Sequence, residues 1–224
     1  MDTSAMRKKA LLLFTAAFAA LCLMFFLPAG TLDYWQAWVY LAIVLVPAAF
    51  VISYFLKNDP EFLERRLKTK EKETEQALVQ KFGLIIFLIG FLIPGLDRRF
   101  GWSSVPFELV IAADLVVFLS YALIFLVFKE NSYAGRTVRV EKGQKVVSTG
   151  LYSIIRHPMY FGTLIMYLAS PVALGSYVAL PVLALCVPML VFRILNEEDV
   201  LRRELPGYSE YCEKVKYRLV PLVW

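Results

Sequence analysis

The sequence predicts an all-α fold, a polytopic membrane helix bundle of about six segments (five to six) with amphipathic helices at the cytoplasmic surface. Three observations predict it. Hydrophobic residues fill 59% of the 224 positions and aromatic residues 15%, and the mean hydropathy is +0.60. A chain of this length that apolar is an integral membrane protein rather than a soluble domain. The apolar residues are also gathered into long uninterrupted runs, and the basic residues cluster between alternate runs.

The runs are Ala10 to Pro28, Tyr34 to Leu56, Phe82 to Leu96, Pro106 to Phe128, Pro158 to Leu174 and Tyr177 to Leu195. Each is read as one membrane segment. The third run, 15 residues long, covers only about 22 Å of a hydrocarbon core about 30 Å thick. It therefore either extends back into Gln80 and Lys81 or penetrates only partly. The first run is read as a retained helix, since no small-residue cleavage site precedes a soluble region. Between the second and third runs, Asn58-Asp59-Pro60-Glu61 reads as a cap followed by proline at the first helical position, opening an interfacial helix of mixed charge. Asp97, Arg98 and Arg99 read as a solvated turn, whereas Asp114 lies inside the fourth run, where an ionisable group is costly and tends to be functional or paired.

Charge sets the orientation. Arg7, Lys8 and Lys9 precede the first run, and Lys57, Arg65, Arg66, Lys68, Lys70, Lys72 and Lys81 follow the second. Lys129, Arg136, Arg139, Lys142, Lys145 and Arg156 follow the fourth, and Arg193, Arg202, Arg203, Lys214, Lys216 and Arg218 follow the sixth. These are 22 of the 24 basic residues, with only Arg98 and Arg99 on the other side. The positive-inside rule places both termini and both large polar loops in the cytoplasm. The three cysteines are odd in number and scattered, which indicates neither a disulfide framework nor a metal site. The pI near 9.0 follows from this topology, and no basic stripe interleaved with aromatics suggests nucleic acid.

The one histidine, His157, stands in Gly150-Leu151-Tyr152-Ser153-Ile154-Ile155-Arg156-His157-Pro158-Met159-Tyr160-Phe161-Gly162, where a polar loop meets the fifth apolar run. Proline disfavours helix at the preceding residue and suits the first helical turn, so Pro158 is expected to open the helix. The N-terminal N–H groups, Arg156 and His157 together make an anion-binding candidate. At the cytoplasmic end of the sixth run, Arg193 and Glu197 are four residues apart and share a helical face, with Glu198 beside them. The short Leu174-Gly175-Ser176 turn makes the fifth and sixth runs a hairpin, which brings His157 and Glu197 back to the same membrane face as expected neighbours.

Taken as a set, Gly150-Leu151-Tyr152, Arg156-His157-Pro158-Met159-Tyr160-Phe161-Gly162, Arg193, Glu197-Glu198, Tyr208, Tyr211 and Tyr217-Arg218-Leu219-Val220-Pro221 resemble the isoprenylcysteine carboxyl methyltransferase family. The resemblance covers roughly residues 129 to 224. It divides the chain into residues 1–128, N-terminal membrane helices shaping substrate access, and residues 129–224, which would hold the cofactor. It implies that the arginine-histidine-proline segment and the paired glutamates bind S-adenosylmethionine near the cytoplasmic surface, and that a lipophilic substrate enters from the membrane. The residue types suit that ligand: Arg156 and His157 for its carboxylate, and Glu197 or Glu198 for its cationic parts. Tyr152 and Tyr160 offer rings to adenine or the sulfonium. Val147, Thr149 and Gly150 would supply backbone contacts to the adenosine, as the resemblance implies.

A carboxylate acceptor such as a prenylcysteine-like C-terminus is already ionised at neutral pH, so methyl transfer needs alignment and water exclusion but no base. Arg193 would orient it, with Glu197 fixing the guanidinium or the cofactor. The alternatives are methylation of a phospholipid amine or a small molecule, where Glu197 or His157 would serve as base, and a reductase. The chain is similar to membrane sterol reductases, which use NADPH, in the arginine-histidine-proline-x-tyrosine segment and in the tail Tyr208 to Arg218. A non-catalytic membrane component is the remaining possibility.

Overall fold

The computed structural model describes residues 3–67, 74–135 and 140–224. Lys68, Lys70 and Lys72 of the second loop, with Arg136 and Arg139 of the fourth, lie outside them. Among the described residues the chain is helical: α1 (Thr3–Ala29), α2 (Trp35–Asn58), α3 (Pro60–Arg66), α4 (Thr74–Phe100), α5 (Phe107–Glu130), α6 (Pro158–Ala173), α7 (Leu180–Ala184), α8 (Cys186–Glu204) and α9 (Tyr208–Lys214), with a short 3₁₀ turn at Gly150–Ser153. Among the described residues, five stretches are long and apolar enough to cross a membrane: Ala5–Ala29, Trp35–Asn58, Leu78–Phe100, Phe107–Glu130 and Leu180–Glu204, the last joining α7 to α8. The bundle is polytopic and turned outward, with Leu12, Leu27 and Val46 each about 70% exposed. Such apolar faces belong in lipid.

The third run resolves as the longer of the two expected forms. α4 continues through Gln80 and Lys81, so the segment is of spanning length. The fifth run differs from expectation. α6 has 16 residues, about 24 Å, against a core of about 30 Å. The helix stops because Gly175 takes a left-handed conformation (φ +74) and Ser176 N–H bonds back to the Pro171 carbonyl at 2.8 Å. It packs along α5, in the most extensive helix pairing among the described residues.

Close approach of these helices depends on small residues, as in other membrane bundles. A Cβ added at Gly162 on α6 would stand 2.9 Å from Ile124 and Leu123 of α5, and one at Gly95 on α4 would stand 2.7 Å from the Phe25 carbonyl of α1. Around the α1–α4 crossing, Phe25, Phe26, Tyr40, Phe91 and Leu183 form the main core. Polar clasps tie α2 to α6: the Tyr34 hydroxyl donates to the Leu174 carbonyl at 2.5 Å, and Tyr40 pairs with Ser170 at 2.7 Å.

Asp97 corrects the reading of a solvated turn. It is 1% exposed and accepts from Ser103 N–H at 2.7 Å, Ser103 Oγ at 2.6 Å and Ser176 Oγ at 2.5 Å. The buried carboxylate thus staples the end of α4 to the turn after α6, while Arg98 and Arg99 remain exposed. Asp114 is buried on α5, and neither carboxylate oxygen has a hydrogen-bond partner among the described residues.

At the opposite end of the bundle, where α2, α5 and α8 finish and α6 begins, the chain builds its polar structure. Asp59 caps α3 by accepting the Phe62 N–H at 2.9 Å, with Pro60 opening the helix as the sequence predicts. From α3, Arg65 reaches the Ser132 carbonyl and Arg66 the Ala134 and Gly135 carbonyls, which fixes the loop after α5.

Candidate functional site

His157 occupies the N-cap of α6 with Pro158 at the first helical position, and its carbonyl accepts the Phe161 N–H at 3.1 Å. The two residues before the helix are paired with the C-terminal tail: Arg156 N–H donates to the Tyr217 carbonyl and His157 N–H to the Arg218 carbonyl, both at 2.9 Å. This short ladder satisfies backbone groups that would otherwise be buried unpaired, and it holds the tail across the start of α6.

The side chains beneath converge on Glu198, which is 1% exposed. Arg156 grips it with Nε to Oε1 at 2.6 Å and Nη2 to Oε2 at 3.3 Å, while Nη1 donates to the Val215 and Lys216 carbonyls. His157 Nε2 lies 3.3 Å from the same Oε1. Arg202 and Arg218 approach Oε2 at 3.2 and 3.1 Å. The anion that Arg156 and His157 receive is therefore the chain's own glutamate. A two-pronged guanidinium–carboxylate pair in a dry setting is strong and directional. This one locks α8, the start of α6 and the tail together.

Glu197, one residue earlier, turns the other way. It accepts a short hydrogen bond from the Tyr160 hydroxyl, which in turn accepts from Arg193 Nε at 2.9 Å. The Tyr160 phenol thus stands between the residues expected as an i,i+4 pair. Its ring also stacks on His157, with centroids 5.6 Å apart, and lies under the Arg193 guanidinium at 5.8 Å. His157 and Glu197 come to the same end of the bundle, as the hairpin argument requires, but His157 contacts Glu198 and reaches Glu197 only through Tyr160.

These groups line one cavity. Of the ten residues singled out from the sequence, Arg156, His157, Tyr160, Arg193 and Glu197 form its wall on α6 and α8, and Val147 and Tyr152 its wall on the loop. Glu198 lies beneath the wall and is not part of the lining. Thr149 and Gly150 are exposed and point elsewhere: the Thr149 hydroxyl donates to Glu130, and a Cβ on Gly150 would meet that carboxylate at 3.2 Å.

Further lining residues were given no site role by the sequence: Tyr208 and Tyr211 of α9, which the resemblance includes, and Asn131 after α5 and Lys145 of the loop. The Tyr211 hydroxyl donates to the Tyr152 carbonyl at 2.7 Å, and Asn131 Nδ2 donates to the Tyr152 hydroxyl at 3.0 Å. Burial pushes the Tyr152 phenol up to about 12, opposed by the Asn131 bond and reinforced by Glu197 and Glu130. Burial likewise raises Tyr208 and Tyr211, so all three offer neutral rings and hydroxyls at physiological pH. The two tail tyrosines, three apart on one face of α9, were visible as a pattern. Asn131 and Lys145 carry no local signal of their role.

Among the described residues, the cavity lining therefore combines one carboxylate, Glu197, with cations and neutral phenols. Such a site can hold a ligand bearing both charges and an aromatic system. Comparison with known proteins bears on which ligand. The chain is 33% identical over 105 residues to the Delta(14)-sterol reductase TM7SF2 of Mus musculus, a match covering 43% of this chain and 25% of that protein. It is 30% identical over 90 residues to the Delta(14)-sterol reductase erg24 of Schizosaccharomyces pombe, covering 39% of this chain and 21% of that one. The chain thus spans a quarter or less of the length of these curated relatives. Residues 109–206 match the family model described as phospholipid methyltransferase, so the segment from α5 through α8, which carries most of the cavity wall, bears the signature of a membrane methyltransferase family.

Proposed function

We propose that the chain is an S-adenosylmethionine-dependent methyltransferase that acts on a lipophilic acceptor, with the donor bound in the cavity between α6, α8 and α9. The observation that carries this reading is the placement of Glu197: it is the acid among the described residues lining the cavity, which Tyr152 also lines, and it is fixed by Tyr160. A ligand with a sulfonium, an ammonium, a carboxylate and a purine needs that combination. Glu197 would hold the cationic part, Lys145 the carboxylate, and Tyr152, Tyr208 and Tyr211 the adenine. Arg156, His157 and Glu198 would support this wall by fixing the tail. The donor supplies an electrophilic methyl group, and the chain's residues align the acceptor and exclude water around it.

The preferred acceptor is a carboxylate on a hydrocarbon chain, of the prenylcysteine C-terminal type. Arg193 favours it, because a guanidinium suits a carboxylate in both charge and geometry and this one lies on the wall shared with a second, more apolar cavity. No base is then required. The concentration of basic residues at this end of the bundle favours a cytoplasmic location for the site and both termini. Methyl incorporation from labelled donor into prenylcysteine analogues, compared with total lipid extract, tests the acceptor. Incorporation into the analogues supports the carboxylate reading, and incorporation only into an amine phospholipid refutes it.

The similarity to the two sterol reductases favours a second reading, an NADPH-dependent membrane reductase using the same cavity. Lys145, Arg156 and Arg193 on its wall are cations that a dinucleotide phosphate could meet. Direct comparison of the two ligands in binding separates the readings.

A further inference from the structure

A second cavity of about 380 Å³ adjoins the first at Met159 and Tyr160, which line both. Further along α6, Met166 and Tyr167, with Tyr121 of α5, line this second cavity and also a third, of about 400 Å³. The third is a chamber between α1, α2, α4, α5 and α6, and Leu63 and Leu67, at the end of α3, also line it. No charged side chain lines it among the described residues. The polar side chains in its lining are three phenols, and that of Tyr40 is already paired with Ser170. Along α1 the lining runs from Ala10 to Leu21 and along α2 from Tyr40 to Ile52, about 16–18 Å at the rise of a helix. A space so lined offers water almost no partners and takes apolar guests instead. Left empty, a void of this size would cost about as much as the whole folding free energy, at the penalty per unit volume that core cavities carry. Hydrocarbon is therefore the occupant that its chemistry admits.

We propose that this chamber receives the hydrocarbon tail of the acceptor and selects it by length, so that the acceptor is a lipid with one long chain. The proposal rests on the reading that the first cavity holds the methyl donor. Continuity ties the chamber to that site: the three cavities follow one another through shared lining residues, first Met159 and Tyr160, then Tyr121, Met166 and Tyr167. A chain whose head meets the donor beside Tyr160 is thereby led into the chamber. The minimum length follows from α6. Met159 and Met166 are seven residues apart in this helix, about 10 Å. An extended chain advances about 1.2 Å per bond, so roughly nine carbons are used before a tail enters the chamber. Small side chains leave room beyond that point. Ala48 of α2 lines the chamber, and a ring in its place would occupy the volume the tail needs. The α1, α2 and α4 walls lie outside residues 109–206, the segment that matches the methyltransferase family. Chain-length selection would then belong to the N-terminal helices, which the family signature does not cover.

The test uses the full-length protein in phosphatidylcholine nanodiscs and photoactivatable probes with a diazirine at the chain end: octanoate, palmitate and a phosphatidylcholine carrying the same label. Labelled positions are mapped by peptide mass spectrometry. The palmitate probe should label chamber residues such as Phe14, Ala48 and Phe87 saturably, in competition with unlabelled palmitate, whereas the octanoate probe should label no further than Met166. Ala48→Phe should lower palmitate labelling of the chamber about tenfold, the size of an overpacking penalty, and leave octanoate labelling unchanged. Where that variant does not fold, Ala48→Leu should give a smaller loss in the same direction. Equal depth of labelling by the two acids in the wild type overturns the proposal whatever the variants do. Chamber labelling by the phosphatidylcholine probe that palmitate does not displace also overturns it, because bilayer lipid would then be the occupant. Palmitate labelling that Ala48→Phe leaves unchanged, or an equal loss for both acids, does the same. S-Adenosylmethionine binding is measured in parallel. The palmitate pattern without donor binding retains the chamber as a lipid-tail site while refuting the methyltransferase reading, and donor binding without chamber labelling overturns this inference alone.

Discussion

Glu198 is the point at which the fold of the site can be broken with one atom. In Glu198→Gln the side chain keeps its shape, but its charge is lost and one carboxylate oxygen becomes an amide nitrogen. That nitrogen would face donors, since Arg156 already reaches Oε1 at 2.6 Å and Oε2 at 3.3 Å and Arg202 and Arg218 approach Oε2 at 3.2 and 3.1 Å. Breaking a buried ion pair from one side costs about 3–5 kcal/mol, because the partner charge is left without compensation. The Arg156 side chain, 4% exposed, carries that cost. Arg202, 42% exposed, is screened by water and adds less than about 1 kcal/mol. A total near 3–6 kcal/mol corresponds to a fall of about 6–24 °C in melting temperature for a chain of this size. The assay is thermal unfolding of the purified protein by far-UV circular dichroism, with Glu197→Gln as the comparison. Glu197 faces the cavity instead of the guanidinium cluster, so its variant should stay within about 1 kcal/mol of wild type. A melting temperature for Glu198→Gln within about 2 °C of wild type, or an equal loss for Glu197→Gln, would refute the assignment of Glu198 as the clasp of the site.

Two further outcomes follow from the geometry. Gly95→Ala places a methyl group 2.7 Å from the Phe25 carbonyl, and backbone cannot rotate away, so the variant should lose about 1–3 kcal/mol, read as a lower melting temperature. Arg193→Ala should reduce methyl transfer about a hundredfold, the usual cost of removing a charge-orienting donor, with donor affinity preserved. Equal loss of both would make it a donor-binding residue.

Much of the bundle was legible because membrane segments are a matter of length and apolarity, which the sequence displays directly. α2 and α5 fall close to the expected runs for this reason. The Pro158 start of α6 was legible because proline fixes the geometry on both sides of itself. What the sequence could not convey is which way a polar group turns. Asp97 resembles its exposed neighbours Arg98 and Arg99, yet Ser103 folds back onto it from the following turn and Ser176 reaches it from an element remote in the chain. Glu197 and Glu198 look equivalent in sequence, but successive residues on a helix are about 100° apart. One therefore faces the cavity while its neighbour is drawn into a cluster of three arginines. The tail closes the site through backbone bonds from Arg156 and His157 to Tyr217 and Arg218, contacts with no side-chain signature at all.

The most direct test of the account is equilibrium binding of labelled S-adenosylmethionine and of NADPH to the purified wild-type protein and to its His157→Ala and Glu197→Ala variants. The account predicts saturable binding of S-adenosylmethionine to the wild type, its loss in Glu197→Ala, weakening in His157→Ala, and no comparable binding of NADPH. Saturable NADPH binding without S-adenosylmethionine binding would contradict it in favour of the reductase reading. Donor binding that survives both substitutions would place the ligand outside this cavity.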